Sequence, residues 1–339
     1  MTLATGVGSY PGADQAAYDE AVRTVLGALA GDAGLPHLPE VPGRGPTATL
    51  TGRGLAVVAE LGADLQPAGW RLTGGGDGVD HRRARSLLSQ DLDTLEEQAA
   101  GALPPEGGSF KIQVAGPWTL AATVEKPRGD KVLSDAGARR ELAQALAEGL
   151  GDHVRDVRRR LPGVQRLVVQ VDEPAIAAVL AGRVPTASGF GRHRTVHPPE
   201  ASEALGWVLG AVAAAGAEPW VHTCAPDAPA SLLTGAGARG LSVDLAVATA
   251  ADLDALAEVL DAGGTVALGV LPALDPPTPP TDAAVTESVL RWLDMVGLDP
   301  AEVGDRLVVT AGCGFADATP GWVRRALGLL RTSATSLSG

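Results

Sequence analysis

Short apolar runs bounded by turn residues alternate along this chain with longer segments whose apolar positions recur every three or four residues. The runs predict strands at 3–8 (LATGVG), 64–70 (DLQPAGW), 110–115 (FKIQVA), 166–171 (RLVVQV), 218–222 (EPWVH), 240–244 (GLSVD), 265–270 (TVALGV) and 306–310 (RLVVT). The helical pattern falls over 14–30, 84–102, 134–160, 200–215, 227–236, 250–262, 282–296 and 319–331. Start signals precede several of these: Ser134 before Asp135, Thr249 before Asp252, and Thr319 with Pro320 in the first turn. The runs at 166–171 and 306–310 do not alternate strictly, as suits strands buried on both faces. Eight strands alternating with eight helices predict an α/β fold, a single (β/α)8 TIM barrel over residues 1–339. A doubly wound open sheet is the competing arrangement. The stretches 31–54 and 272–280 read as long loops, and GGGDG at 74–78 lacks the context of a phosphate-binding loop.

Composition narrows the class. At 339 residues, 45% hydrophobic and 20% charged, the chain has enough apolar material for a large core. Aromatic residues are only 3%, so that core is built mainly from Val, Leu and Ala. A net charge of −13 argues against nucleic acid and anionic membranes as partners, since both reward Lys and Arg. Two cysteines do not make a disulfide framework. The opening MTLATGVGSYPG has no basic region followed by an apolar one, and no run of eighteen apolar residues occurs. The expectation is a cytoplasmic protein with reduced thiols.

The reactive side chains gather at the ends of the predicted strands. Ser9 follows the first strand, and Asp172 and Glu173 follow the fourth. His222 and Cys224 end the fifth, Asp244 ends the sixth, and Cys313 follows the eighth. In a barrel these positions share the C-terminal face, where active sites of the fold are built. Taken singly each has a bland reading: a buried Cys is a small hydrophobe, a strand-end His is a hydrogen-bonded core residue, and Asp172 or Asp244 caps a turn. Together, two thiols, one imidazole and one carboxylate suit four-coordinate Zn2+.

The stretches GVGSYP (6–11), VAGPWTL (114–120), VQVDEPAI (169–176), VHTC (221–224), LSVD (241–244) and TAGCGFADATPGWVRRAL (310–327) carry a family likeness. In their order and spacing the chain resembles the catalytic C-terminal barrel of cobalamin-independent methionine synthase, within the superfamily that includes uroporphyrinogen decarboxylase. The resemblance implies a zinc site of His222, Cys224, Asp244 and Cys313, with Asp244 standing where the family usually has Glu. It implies methyl transfer from a folate-type or corrinoid donor to the thiol of homocysteine. Asp172 would be the catalytic carboxylate that holds the substrate amino group, with Ser9, Glu173 and Trp118 completing the substrate contacts. A second carboxylate for the amino group is expected within PGRGPTATL, which has none, and the loop GVLPALDPP lacks the family's His. A basic loop at 182–199, with Arg183, Arg192, His193 and Arg194, could draw an anionic donor tail. The alternatives are a metal-free barrel of the uroporphyrinogen decarboxylase type, or a zinc- or thiol-binding barrel without a donor site.

Overall fold

The computed structural model describes residues 1–338. Its strands are β1 (Leu3–Ala4), β2 (Ala63–Gln66), β3 (Gly69–Leu72), β4 (Gly108–Ala115), β5 (Val164–Asp172), β6 (Glu218–Thr223), β7 (Gly240–Asp244), β8 (Thr265–Leu271) and β9 (Leu307–Ala311). Seven of them form one parallel sheet in the order β1-β9-β8-β7-β6-β5-β4. Neighbours in this sheet follow chain order, without the reversal that defines a doubly wound sheet. The helices form where the sequence gives them a single apolar face. In Gln15–Leu29, Asp14 caps the first turn by accepting from the Ala17 N–H at 2.9 Å. Tyr18, Ala21, Val22, Val25, Leu26 and Leu29 then fall on one buried stripe. Thr249 and Asp252 close a reciprocal capping box at Ala250–Asp261, and Thr319 caps Pro320–Ser336. At Ala136–Arg160 the cap is Asp135 and not Ser134, whose hydroxyl bonds back to the Lys131 carbonyl.

The sequence reading misplaces one stave. The predicted strand at 64–70 is an antiparallel hairpin, β2 paired with β3, and takes no part in the parallel sheet. The gap between β1 and β4 is crossed by 33–41, which had read as loop. Ala4 N–H donates to the Ala33 carbonyl, and Leu35 N–H to that of Ala4, both at 2.8 Å. On the other side Lys111 N–H donates to Pro36 and Leu38 N–H to Lys111, both at 2.9 Å. Glu40 and the chain beyond β1 exchange two more bonds, to Gly8 and from Tyr10, at 3.0 and 2.7 Å. Pro36 and Pro39 have no N–H to give, so the pairing survives only as isolated parallel bridges. Side chains supply further stitches: the Thr5 hydroxyl and the Gln113 amide bond the Leu35 and Leu38 carbonyls.

Curling leaves the sheet with an inside. Low in it, Leu35, Val168, Trp220, Ala267 and Val308 make an apolar cluster separate from the main core, which lies between sheet and helices. The Trp220 ring fills the space that a side chain on Gly240 would need. Further along the sheet, at every second position of its strands, the inward side turns polar: Lys111, Gln113, Gln170, Asp172, His222, Ser242 and Thr310 are all buried. No helix among the described residues is long and apolar enough to cross a membrane.

Candidate metal centre

Parallel pairing in register brings the polar strand ends together. β5 and β6 align Asp172 with His222, and β6 and β7 align His222 with Ser242. Cys224 follows β6 by one residue, and Cys313 follows β9 by two. Ligand atoms of His222, Cys224 and Cys313 all lie within 4.8 Å of one another. The two sulfurs are 2.6 Å apart and both cysteines are free. The hydrogen bond between them holds the Cys313 thiol down, with His222 acting in the same direction, and pushes Cys224 up.

His222 is set for coordination by its neighbour. Its Nδ1 lies 3.1 Å from the Ser242 carbonyl and 3.0 Å from the Ser242 hydroxyl. A carbonyl only accepts, so Nδ1 carries a hydrogen, and in the neutral ring Nε2 is the nitrogen with the lone pair. Nε2 is buried and has no hydrogen-bond partner. A buried imidazole nitrogen left open beside two thiols fits a soft-to-borderline metal ion such as Zn2+. Asp244 stands outside this triad among the described residues. Its Oδ1 accepts from the Ala246 N–H at 2.9 Å, the turn-capping alternative, and its carboxylate covers Gly312 so closely that no side chain fits there.

Asp172 is buried beside the triad and accepts from the Gln170 amide at 2.7 Å. Burial raises its carboxyl to about 7, with Glu40 pushing the same way and His222 and Lys111 opposing. Lys111, fully buried on β4, donates to the Val7 carbonyl (2.9 Å) and to Gln170 Oε1 (3.0 Å). Desolvation lowers its ammonium to about 8. Ser9 reaches the same mouth: its hydroxyl lies against Gly314, and its carbonyl accepts from Phe315 N–H at 2.8 Å.

Two expected substrate contacts are turned away from the opening. Both oxygens of Glu173 are taken by the start of helix Pro117–Thr123: the N–H groups of Trp118 and Thr119 and the Thr119 hydroxyl donate at 2.8 Å. Burial lifts this carboxyl to about 7 against those hydrogen bonds. The Trp118 ring is 1% exposed and gives its Nε1–H to the Ala201 carbonyl at 3.1 Å. It packs against helix Pro198–Ala214.

The structure adds residues that the motifs did not flag. Glu40, upstream of the stretch expected to hold a second carboxylate, is buried where 33–41 meets Ser9. Its Oε1 takes Gln113 Nε2 at 3.1 Å and Arg53 Nε at 3.3 Å. Arg53 in turn meets Asp91, which Arg44 grips with two parallel bonds at 2.8 and 2.7 Å. A signal for the inward set was present: Lys111 and Gln113, like Gln170 and Asp172, are polar at period two in otherwise apolar strands. In the basic loop, Arg192 donates to the Arg183 carbonyl (2.7 Å), Arg183 faces Asp227 at 3.5 Å, and His193 is buried near Asp130. Phe190 at its tip is fully exposed.

Residues 110–336 match the family model described as the catalytic domain of cobalamin-independent synthase. Similar solved structures include a B12-independent methionine synthase from Shewanella sp. W3-18-1 in complex with selenomethionine. It is 17% identical with a TM-score of 0.48, over 73% of this chain and 65% of that one. The chain therefore spans less than two thirds of that protein's length. Others are a 2,3-dimethylmalate lyase (10% identity, TM-score 0.36, 98% and 93% covered) and an Amycolatopsis orientalis BexX/CysO complex (15%, 0.33, 98% and 89%). No curated protein sequence matches the chain.

Proposed function

The chain belongs to the family of the cobalamin-independent synthase catalytic domain, and from that premise we propose that it is a zinc-dependent S-methyltransferase making methionine from homocysteine. The observation that carries this reading is the unpartnered, buried Nε2 of His222 among two free thiols. We read the whole chain as one catalytic domain, a closed (β/α)8 barrel with 33–41 as its second stave, working in the cytoplasm.

In this reading His222, Cys224 and Cys313 hold the ion, and Asp244, poised over Gly312 next to Cys313, is the carboxylate that completes the set. Zinc there would keep a substrate thiol deprotonated near neutral pH. The residues do the rest of the work. Ser242 fixes the imidazole tautomer. Asp172 and Glu40 form a buried pair of carboxylates for the substrate ammonium, and the backbone at Ser9 takes its carboxylate. The sulfur would form a bond to the methyl carbon as the bond from methyl to its pterin-type or corrinoid carrier breaks, the carrier keeping the electron pair and a pterin nitrogen taking up a proton that balances the one lost by the thiol, with no covalent enzyme intermediate. Orientation supplies much of the rate, because a sulfur made more acidic is also less nucleophilic. The basic loop carrying Arg192 and Arg194 would attract an anionic carrier tail.

The test is X-ray absorption at the zinc edge. Homocysteine should add one sulfur neighbour at about 2.3 Å, the usual Zn–S distance; an unchanged spectrum rejects thiol activation.

A further inference from the structure

Among the buried polar atoms of the inward set, the oxygen of the Gln113 side chain stands out. Gln113 is 5% exposed on β4. Its Nε2 is held on one side by two acceptors, the Leu38 carbonyl at 2.7 Å and Glu40 Oε1 at 3.1 Å. Neither would tolerate the amide oxygen in that place, so the orientation of the carboxamide is fixed. Oε1 therefore points away from 38–40, and it is buried without a hydrogen-bond partner. The carboxamide is also pressed against Gly8, where a Cβ would come 2.8 Å from Cδ. It cannot swing aside on that flank.

A buried carbonyl oxygen held this rigidly loses free energy unless something donates to it. Its surroundings select the donor. Glu40 is bonded to the same carboxamide, and Asp172 lies two residues beyond Gln170, the register partner of Gln113, while the nearby cations Arg53 and Lys111 are engaged with Glu40 and with Val7 and Gln170. A cationic N–H donor suits such a place, and an anion does not.

We propose that Gln113 is a specificity-determining residue whose amide oxygen accepts a hydrogen bond from the α-ammonium of the thiol substrate, beside Glu40 and Asp172. The proposal rests on the reading of the site as one for an amino-acid thiol, and deepens it. An ammonium has three N–H donors, and Asp172, Glu40 and Gln113 offer three separate acceptors. The arrangement selects thiols bearing a free amino group.

The test compares binding of L-homocysteine and of its des-amino analogue, 4-sulfanylbutanoic acid, to the purified zinc-loaded protein by calorimetry. Wild type should prefer homocysteine. Gln113→Met keeps the length and loses the oxygen, so homocysteine should bind about tenfold more weakly, as fits one buried hydrogen bond to a charge. Affinity for the des-amino thiol should stay within about twofold on the same grounds. Gln113→Asn keeps the amide donor and the oxygen but draws both back by one methylene, so the preference for homocysteine should weaken in the same direction, which serves as a check if Gln113→Met folds poorly. If either variant binds both thiols in the opposite pattern, or if Gln113→Met keeps the wild-type ratio, Gln113 does not touch the ammonium while the amino-acid reading stands. A wild type that binds both thiols equally overturns the amino-acid reading and the role of Gln113 with it.

Discussion

The lower and upper halves of the sheet interior are built on the same strands and could hardly differ more. Below, Val168, Trp220, Ala267 and Val308 meet Leu35 in a dry floor. Two residues further on, the same faces of β5, β6 and β9 present Gln170, His222 and Thr310. The floor satisfies itself through contact. The roof does not: Gln113 Oε1, His222 Nε2 and Thr310 Oγ1 are buried there without partners. Strand geometry alone produces the division, because inward positions recur every second residue and the sequence changes character between one layer and the next. Stability and ligand chemistry are thus assigned to separate layers, and each should be separately breakable.

The largest effect is expected in the roof. Cys313→Ser replaces a soft thiolate by a hard, protonated hydroxyl. Zinc, about one per chain in wild type, should be lost by elemental analysis, and methyl transfer should fall by more than about 100-fold, since loss of an outer-shell partner alone costs about 10–100-fold. The circular dichroism spectrum should be unchanged. Full zinc retention would remove Cys313 from the ligand set.

In the floor, Trp220→Ala should show the converse. It opens a cavity over Gly240 and should cost about 3–5 kcal/mol in urea unfolding, as large aromatic truncations do. Zinc content should stay at the wild-type level. A variant that loses zinc while folded would show that the two layers are coupled.

The smallest effect tests the scaffold behind the roof. Glu173, raised from 4.5 to about 7 mainly by burial, binds its proton in the folded state at a pH where the unfolded chain has released it. Between those values the native state holds more protons, so stability falls as pH rises. Its contribution is fully present below about 4.5 and is gone above about 7. Gln at 173 does not titrate. The melting temperature of wild type minus that of Glu173→Gln should therefore shrink by about 3–4 °C from pH 5 to pH 8, roughly 2–3 kcal/mol in a chain of this size. A difference that grows with pH would mean Glu173 is ionised throughout.

The sheet was legible wherever β-branched residues ran together, as in LVVQV and RLVVT. Strand 240–244 matches residue for residue, and β5, β6, β8 and β9 fall within two residues of their expected ends. The stave at 33–41 escaped because GLPHLPE has the composition of a loop; its pairing lies in tertiary bonds that no local pattern encodes. The hairpin at 63–72 deceived for the opposite reason, since it is real β structure placed outside the parallel sheet. At the site, His222, Cys224 and Cys313 were conspicuous because thiols are scarce. Glu40, Lys111 and Gln113 were not, because a polar residue in a strand faces solvent as easily as the interior until curvature decides. At Glu173 and Trp118 the hydrogen bonds to helix Pro117–Thr123 and to Ala201 were not legible, because a motif fixes where a residue sits in the chain, not which way its side chain is turned.

The segment with two prolines carries a kinetic consequence. Across 33–41 the backbone pairs through six scattered bonds, and Pro36 and Pro39 contribute no N–H. The strands from β4 to β9 are each laced over four or more residue pairs to a neighbour. Amide protons at Leu35, Leu38 and Glu40 should accordingly exchange ahead of those in β5 or β8, as a zip parts where its teeth are fewest. Such an opening would carry Glu40 off while leaving the thiols where they stand, so the proposed ammonium pocket would loosen before the proposed metal centre.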